Sequence, residues 1–212
     1  SLETYWRSIV LFGLNVASYK FALAKSLLKF SDEQKTFVTL AELAEPYSDH
    51  ICEHLKQADK QATSRSSRFL DLCRGYNQER IARDELIAGT VKLGFNNVID
   101  AFHVVNKDEV PVRFFHDERS GTRDGITLTD ELFTLPQSIQ KANFSHEVEA
   151  RWRLVETAWD LNVSRNLITV DYDVDEESFY TIGKSLRRIT ITSCRKSLNG
   201  YQKGKCLYCF AD

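Results

Sequence analysis

Residues 110–116 read VPVRFFH, and here the pattern of the chain changes. Val110, Val112 and Phe114 recur at every second position, the period of a half-buried strand. Residues 121–125, with a glycine at either end, then read as a turn, and ITL at 126–128 as a second strand. Upstream the period is helical. Tyr5, Ile9, Phe12, Val16, Tyr19, Leu23 and Leu27 predict one long helix over residues 3–29. A second apolar-periodic stretch covers 40–55, with Thr39 and Glu42 at capping-box spacing and Pro46 marking either a kink or a new start. SRSSRFLDLCRGYN predicts a capped helix from near Ser66 to Gly75. Residues 84–93, stopped by Gly94, and residues 96–105 complete a helical first half.

Downstream, residues 145–161 predict another strong helix, capped by Ser145 and with Val148, Trp152, Val155 and Trp159 on one face. NLITVDYDV, SFYTI and RRITIT then read as short strands of an antiparallel meander. The fold class expected is α+β: a helical N-terminal half, then a mixed half with a small antiparallel sheet and one long helix. The expected division is a helical region 1–106, a mixed region 107–198 and a final segment 199–212, with the two halves free to share one core.

At 212 residues the chain can bury a sizeable core, and 42% hydrophobic with 27% charged residues is ordinary globular composition. The net charge of −2 names no partner, but its distribution is uneven. Residues 31–59 hold seven acids against Lys35 and Lys56, whereas residues 183–212 hold seven bases against Asp212 alone. A basic segment of this kind suits a polyanion. Five cysteines without a secretory signal point to a reducing, cytoplasmic setting. The stretch SIVLFGLNVASY is too short to span a bilayer, so no membrane association is expected.

Several motifs fail on inspection. His50-Ile51-Cys52-Glu53-His54 matches an inverted zinc-protease pattern, yet nothing supplies a third ligand; two partly exposed histidines on an acidic helix is the preferred reading. Gly183-Lys184-Ser185 lacks the earlier phosphate-loop glycine, since Ser178 stands there. Asp171, Asp173 and Asp175 lack the calcium-loop Gly and Glu, with Glu176 and Ile182 in those places.

Two groups of residues survive. Lys60, Arg65, Ser66, Arg68 and Arg74 combine bases and hydroxyls near a helix start, a good phosphate-contact set, and Lys203 and Lys205 extend it in the basic tail. Cys206 and Cys209 form a Cys-x-x-Cys pair, half of a tetrahedral zinc site.

The ending NGYQKGKCLYCFAD (199–212) resembles the entry to a His-Asn-His (HNH) nuclease module, where a Lys/Arg-Cys-x-Tyr-Cys knuckle precedes the catalytic histidine. LETYWRSIVLFGLNVASYKFALAKSLL, TSRSSRFLDLCRGYN, LGFNNVIDAFHVVN and VEARWRLVETAW are similar to the N-terminal region of bacterial HNH endonuclease-domain proteins of the restriction and defence type. The resemblance implies a metal-dependent phosphodiesterase whose knuckle cysteines hold a structural zinc and whose catalytic centre uses Mg or another divalent cation. Only Cys206 and Cys209 carry over. The catalytic histidine and the second cysteine pair would lie beyond residue 212, so the chain is expected to be a truncated, inactive accessory region that positions DNA. The alternative is a ligand- or protein-binding sensor controlling the nuclease, or one that self-associates, with Tyr5, Trp6, Asn96, Asn97, Asp100 and His103 around a pocket.

Overall fold

The computed structural model describes residues 1–12, 16–64, 66–105, 108–120, 123–135, 141–162, 170–173 and 178–181. The chain begins with α1 (Leu2–Leu11) and α2 (Tyr19–Asp32), so the single helix expected over 3–29 is two. Phe12 turns to extended backbone and ends α1. Residues 16–18 then pair with residues 61–63 instead of continuing the helix. Thr63 N donates to Val16 O at 2.8 Å, Ser18 N donates to Gln61 O at 3.0 Å, and Ala17 bridges Ala62. The apolar period persisted across the break because both helices face the same core.

β1 (Phe37–Thr39) leads directly into α3 (Leu40–Leu55). The capping box is present: Glu42 N donates to Thr39 Oγ1 at 3.2 Å, and Thr39 N donates to Glu42 Oε2 at 3.0 Å. α3 runs through Pro46 as one helix. α4 (Arg68–Asn77) starts one residue after its cap, Ser67, and ends two residues past Gly75. α5 (Arg83–Leu93) stops at Gly94 as expected.

The helix expected over 96–105 shrinks to α6 (Val98–Ala101), followed by a small ladder of β2 (Val104–Val105) and β3 (Asp108–Glu109). His103 explains both this and the shortened strand after it. Its carbonyl accepts from Val110 N at 2.9 Å, and its Nε2 accepts from Phe114 N at 3.0 Å. With that N–H committed to a side chain, only β4 (Phe115–Asp117) of the VPVRFFH stretch forms a strand.

β5 (Gly125–Leu128) is central to a three-stranded antiparallel sheet of order β1-β5-β4. Val38 faces Ile126 and Phe115 faces Leu128 in register. Gly125 permits that approach, since a Cβ there would lie 2.4 Å from Val38 O. α7 (Asp130–Thr134) follows, then α8 (Lys141–Asp160). α8 starts before Ser145, which therefore lies inside it rather than capping it. Phe144, 1% exposed, extends the apolar face one turn upstream of Val148. β6 (Val170–Asp173) and β7 (Ser178–Thr181) pair as an antiparallel ladder. RRITIT, Asp175 and residues 183–185 fall outside the described residues.

Among the described residues the class is thus α+β, with eight helices and small antiparallel sheets. β1 comes from the helical half and pairs with β5 from the mixed half. One hydrophobic cluster likewise joins Trp6, Phe21 and Tyr47 to Phe114, Ile126 and Trp152. α2 is packed between α3 and α8, and Arg7 ties α1 to α8 through Glu147 at 2.9 and 3.1 Å. No helix among the described residues is long and apolar enough to cross a membrane.

Candidate functional site

The start of α4 is built by hydroxyls. Ser67 has extended backbone, and its Oγ accepts from Leu70 N at 3.3 Å and shares a 2.7 Å hydrogen bond with the Tyr19 hydroxyl. Just upstream, Ser64 Oγ donates to Ser66 O at 2.9 Å and accepts from Ser66 N at 3.4 Å, a local turn that short hydroxylated residues favour. This turn and the first turns of α4 wall a cleft of about 370 Å³. Its lining includes Lys60, Thr63, Ser64, Ser67 and Arg74, together with one acid, Asp59.

Of the phosphate-contact set, Lys60 and Arg74 therefore share one cleft, although 14 positions separate them in sequence. Ser66 and Arg68 are exposed beside it. Both cleft bases also serve the fold. Arg74 Nε donates to Asp59 Oδ1 at 2.8 Å, its Nη2 to Asp59 O at 2.8 Å and its Nη1 to Asp71 Oδ1 at 2.9 Å. Lys60 Nζ donates to Trp159 O at 3.0 Å and to Asn162 Oδ1 at 3.3 Å, and so secures the end of α8. Arg65, Lys203, Lys205, Cys206 and Cys209 lie outside the described residues. Among the described residues, no group of three or more His, Cys, Asp or Glu could hold a metal ion.

Behind the cleft wall is a polar network that the sequence reading missed. Gln61, fully buried, donates through Nε2 to Glu156 Oε1 at 2.5 Å and accepts from Trp152 Nε1 at 2.9 Å. Glu156 Oε1 also meets His54 Nδ1 at 2.6 Å, while His54 Nε2 meets Glu149 Oε2 at 3.2 Å. His54 is 2% exposed, which corrects the expectation of two partly exposed histidines. His50 is half-buried. Burial, with Lys25 and His54 nearby, lowers its pKa to about 4.

Burial pushes the Glu149 carboxyl up, but hydrogen bonds with His54 and Lys25 outweigh it and hold the group well below the usual carboxylate range. The signal for this network was faint: Glu149 and Glu156 are two helical turns apart, flanking Trp152 on the face that α8 buries. A pair of acids on an otherwise apolar face requires partners, and only the packed α3 shows that His54 is one.

Most of the sensor residues are engaged within the fold. Trp6 packs edge-on against Phe114 at 5.2 Å, His103 is committed to Phe114 N, and Tyr5 packs against the core. Asp100 pairs with Arg119 at 2.7 Å, and Asn96 and Asn97 are exposed.

Comparison with protein-family models, curated proteins and solved structures returns no match. The site's reading therefore rests on its own residues and their geometry.

Proposed function

We propose that this chain is the N-terminal accessory region of a metal-dependent HNH-type DNA endonuclease, and that the cleft at the start of α4 engages the DNA backbone. The observation that carries the DNA contact is the convergence of Lys60, Arg74, Ser64 and Ser67 on one cleft, with Arg68 exposed at the first position of the helix. Ammonium and guanidinium groups, hydroxyls and the unpaired N–H groups of a helix start are the donors that phosphate oxygens accept from. Asp59 and Asp71 hold Arg74 in place, and an arriving phosphate competes with them for its fork. Cys206 and Cys209 then begin the zinc knuckle, and Lys203 and Lys205 extend the basic path. The HNH assignment itself is carried by the sequence resemblance.

Fluorescence anisotropy with a short labelled DNA duplex tests the contact. Binding is expected to weaken with salt, with log K falling by roughly 0.9 per log unit of salt for each phosphate neutralised. Arg68→Ala is expected to reduce that slope by about 1. A flat salt response, or an unchanged slope in the variant, removes the cleft from the DNA path. Residues 1–212 are expected not to cut DNA with Mg, whereas a longer chain carrying the HNH centre does.

One observation favours the sensor reading instead: a cleft of about 370 Å³ is also of small-molecule size. A thermal shift with mononucleotides and none with DNA would select it.

A further inference from the structure

The Tyr19 hydroxyl and Ser67 Oγ are 2.7 Å apart, and which of them donates decides what the cleft can hold. Ser67 is part of the cleft wall. Tyr19 stands at the first position of α2, half-buried, with its ring edge-on to the buried Phe69 at 5.5 Å between centroids.

A serine hydroxyl carries two lone pairs and one proton. One lone pair of Ser67 Oγ accepts from Leu70 N at 3.3 Å. If Ser67 gave its proton to Tyr19, the phenol proton would need an acceptor of its own. Among the described residues, Ser67 is the only hydrogen-bond partner of that hydroxyl. If Tyr19 donates instead, both lone pairs of Ser67 are filled, and its proton is left for the open side, which is the cleft. The second arrangement satisfies both groups. Burial raises the Tyr19 pKa, which keeps the phenol in the protonated form that can donate. The neighbouring Ser64 offers no such proton, because its Oγ donates to Ser66 O at 2.9 Å.

We infer that Tyr19 is a positioning residue that commits the Ser67 hydroxyl to donating into the cleft, so that the cleft selects a group that only accepts, namely a non-bridging oxygen of a phosphodiester. This rests on the DNA-backbone reading of the cleft and names the contact that discriminates there. A ligand group that brings its own proton, such as an amine, meets at Ser67 an oxygen with no lone pair to spare. Lys60 and Arg74 attract the backbone by charge, whereas Ser67 fixes where one phosphate oxygen rests.

Anisotropy titrations of residues 1–212 with the labelled duplex compare Tyr19→Phe, Ser67→Gly, the double variant and Ser67→Thr. Glycine removes the hydroxyl but is tolerated as an N-cap far better than alanine, which separates the donor from the cap. Ser67→Gly is expected to weaken binding about 3–10-fold with the salt slope unchanged, since a neutral donor releases no counterion. Tyr19→Phe keeps the ring and is expected to weaken binding about 2–3-fold, again with the slope unchanged, because the serine hydroxyl is then free to rotate. The double variant is expected to bind as Ser67→Gly does, because Tyr19 acts only through Ser67. Ser67→Thr keeps both the cap and the proton and is expected to bind within about twofold of the unmodified chain.

Losses that multiply in the double variant would overturn the inference and leave the DNA reading in place. Full affinity in Tyr19→Phe, or a loss in Ser67→Thr as large as that in Ser67→Gly, would do the same. If the unmodified chain shows no salt-dependent binding of the duplex, the DNA reading falls and this inference falls with it. Should Ser67→Gly fail to fold, Tyr19→Phe set against Ser67→Thr decides.

Discussion

The imidazole of His54 lies flat on the indole of Trp152, with 3.5 Å between ring centroids and 4° between planes. The stack joins α3 to α8 at the centre of the buried polar network. One ring edge of His54 faces Glu156 and the other faces Glu149, while the indole N–H reaches Gln61. Each member therefore orients the next, and removing one takes a hydrogen bond from its buried neighbours.

Glu156→Ala is expected to be the most damaging substitution in this network. It leaves His54 Nδ1 and one of the two Gln61 Nε2 protons without an acceptor in the interior, the other proton keeping Ala58 O at 3.0 Å, and breaking a buried hydrogen-bonded charge site costs about 3–5 kcal/mol. Glu156→Gln, which retains the shape and one acceptor, is expected to lose less. Urea denaturation of both variants checks the order, and equal losses would mean that the network contributes only packing.

His103 makes stability depend on pH. Burial, then the positive neighbours Arg113, Lys20 and His116, lower its pKa to about 3. The neutral ring is the form that accepts from Phe114 N. Its contribution is fully present above the unfolded pKa near 6.5 and is lost as pH falls toward 3, because the unfolded chain takes the proton first. Between pH 7 and pH 5 this amounts to about 2 kcal/mol. His103→Gln retains an acceptor and does not titrate, so denaturation curves at the two pH values are expected to draw together by about that amount.

Thr39→Ala removes one arm of the capping box at the point where β1 becomes α3. A lost N-cap costs about 1 kcal/mol. The Glu42 carboxyl is lowered to about 2 by its hydrogen bonds with Lys35 and then Thr39, so the variant is also expected to raise the Glu42 pKa toward the ordinary value. NMR titration of the carboxyl resonance reads this directly.

Gly125→Ala tests the sheet. The added Cβ would sit 2.4 Å from Val38 O and 2.7 Å from the Phe37 ring, so β1 and β5 must separate. Losses above about 2 kcal/mol are expected. Hydrogen exchange of the β1 and β5 amides is expected to show faster opening there than in α8.

Cap chemistry and apolar period are local, so they were legible from residues alone. Thr39, Glu42 and Gly94 sit where spacing placed them, and Val148, Trp152, Val155 and Trp159 face the core as their period required. The α+β class followed from the change of period after residue 110. Hydroxyls and bases around residues 60–74 were also visible as chemistry.

Tertiary structure decided everything that depends on a partner distant in the chain. The break after Phe12 exists because residues 16–18 pair with residues 61–63, and no period within the first helix reports on that pairing. Phe114 leaves its strand pattern because His103 takes its N–H. His54 is buried because Glu149, Trp152 and Glu156 arrive from about a hundred residues away to satisfy it. The Cys52 thiol likewise reaches the Cys73 carbonyl oxygen, 3.8 Å away, only because α3 and α4 pack together. Backbone and side-chain polar groups must find partners once water is excluded, and which partners they find is a property of the packed chain, not of the neighbouring sequence.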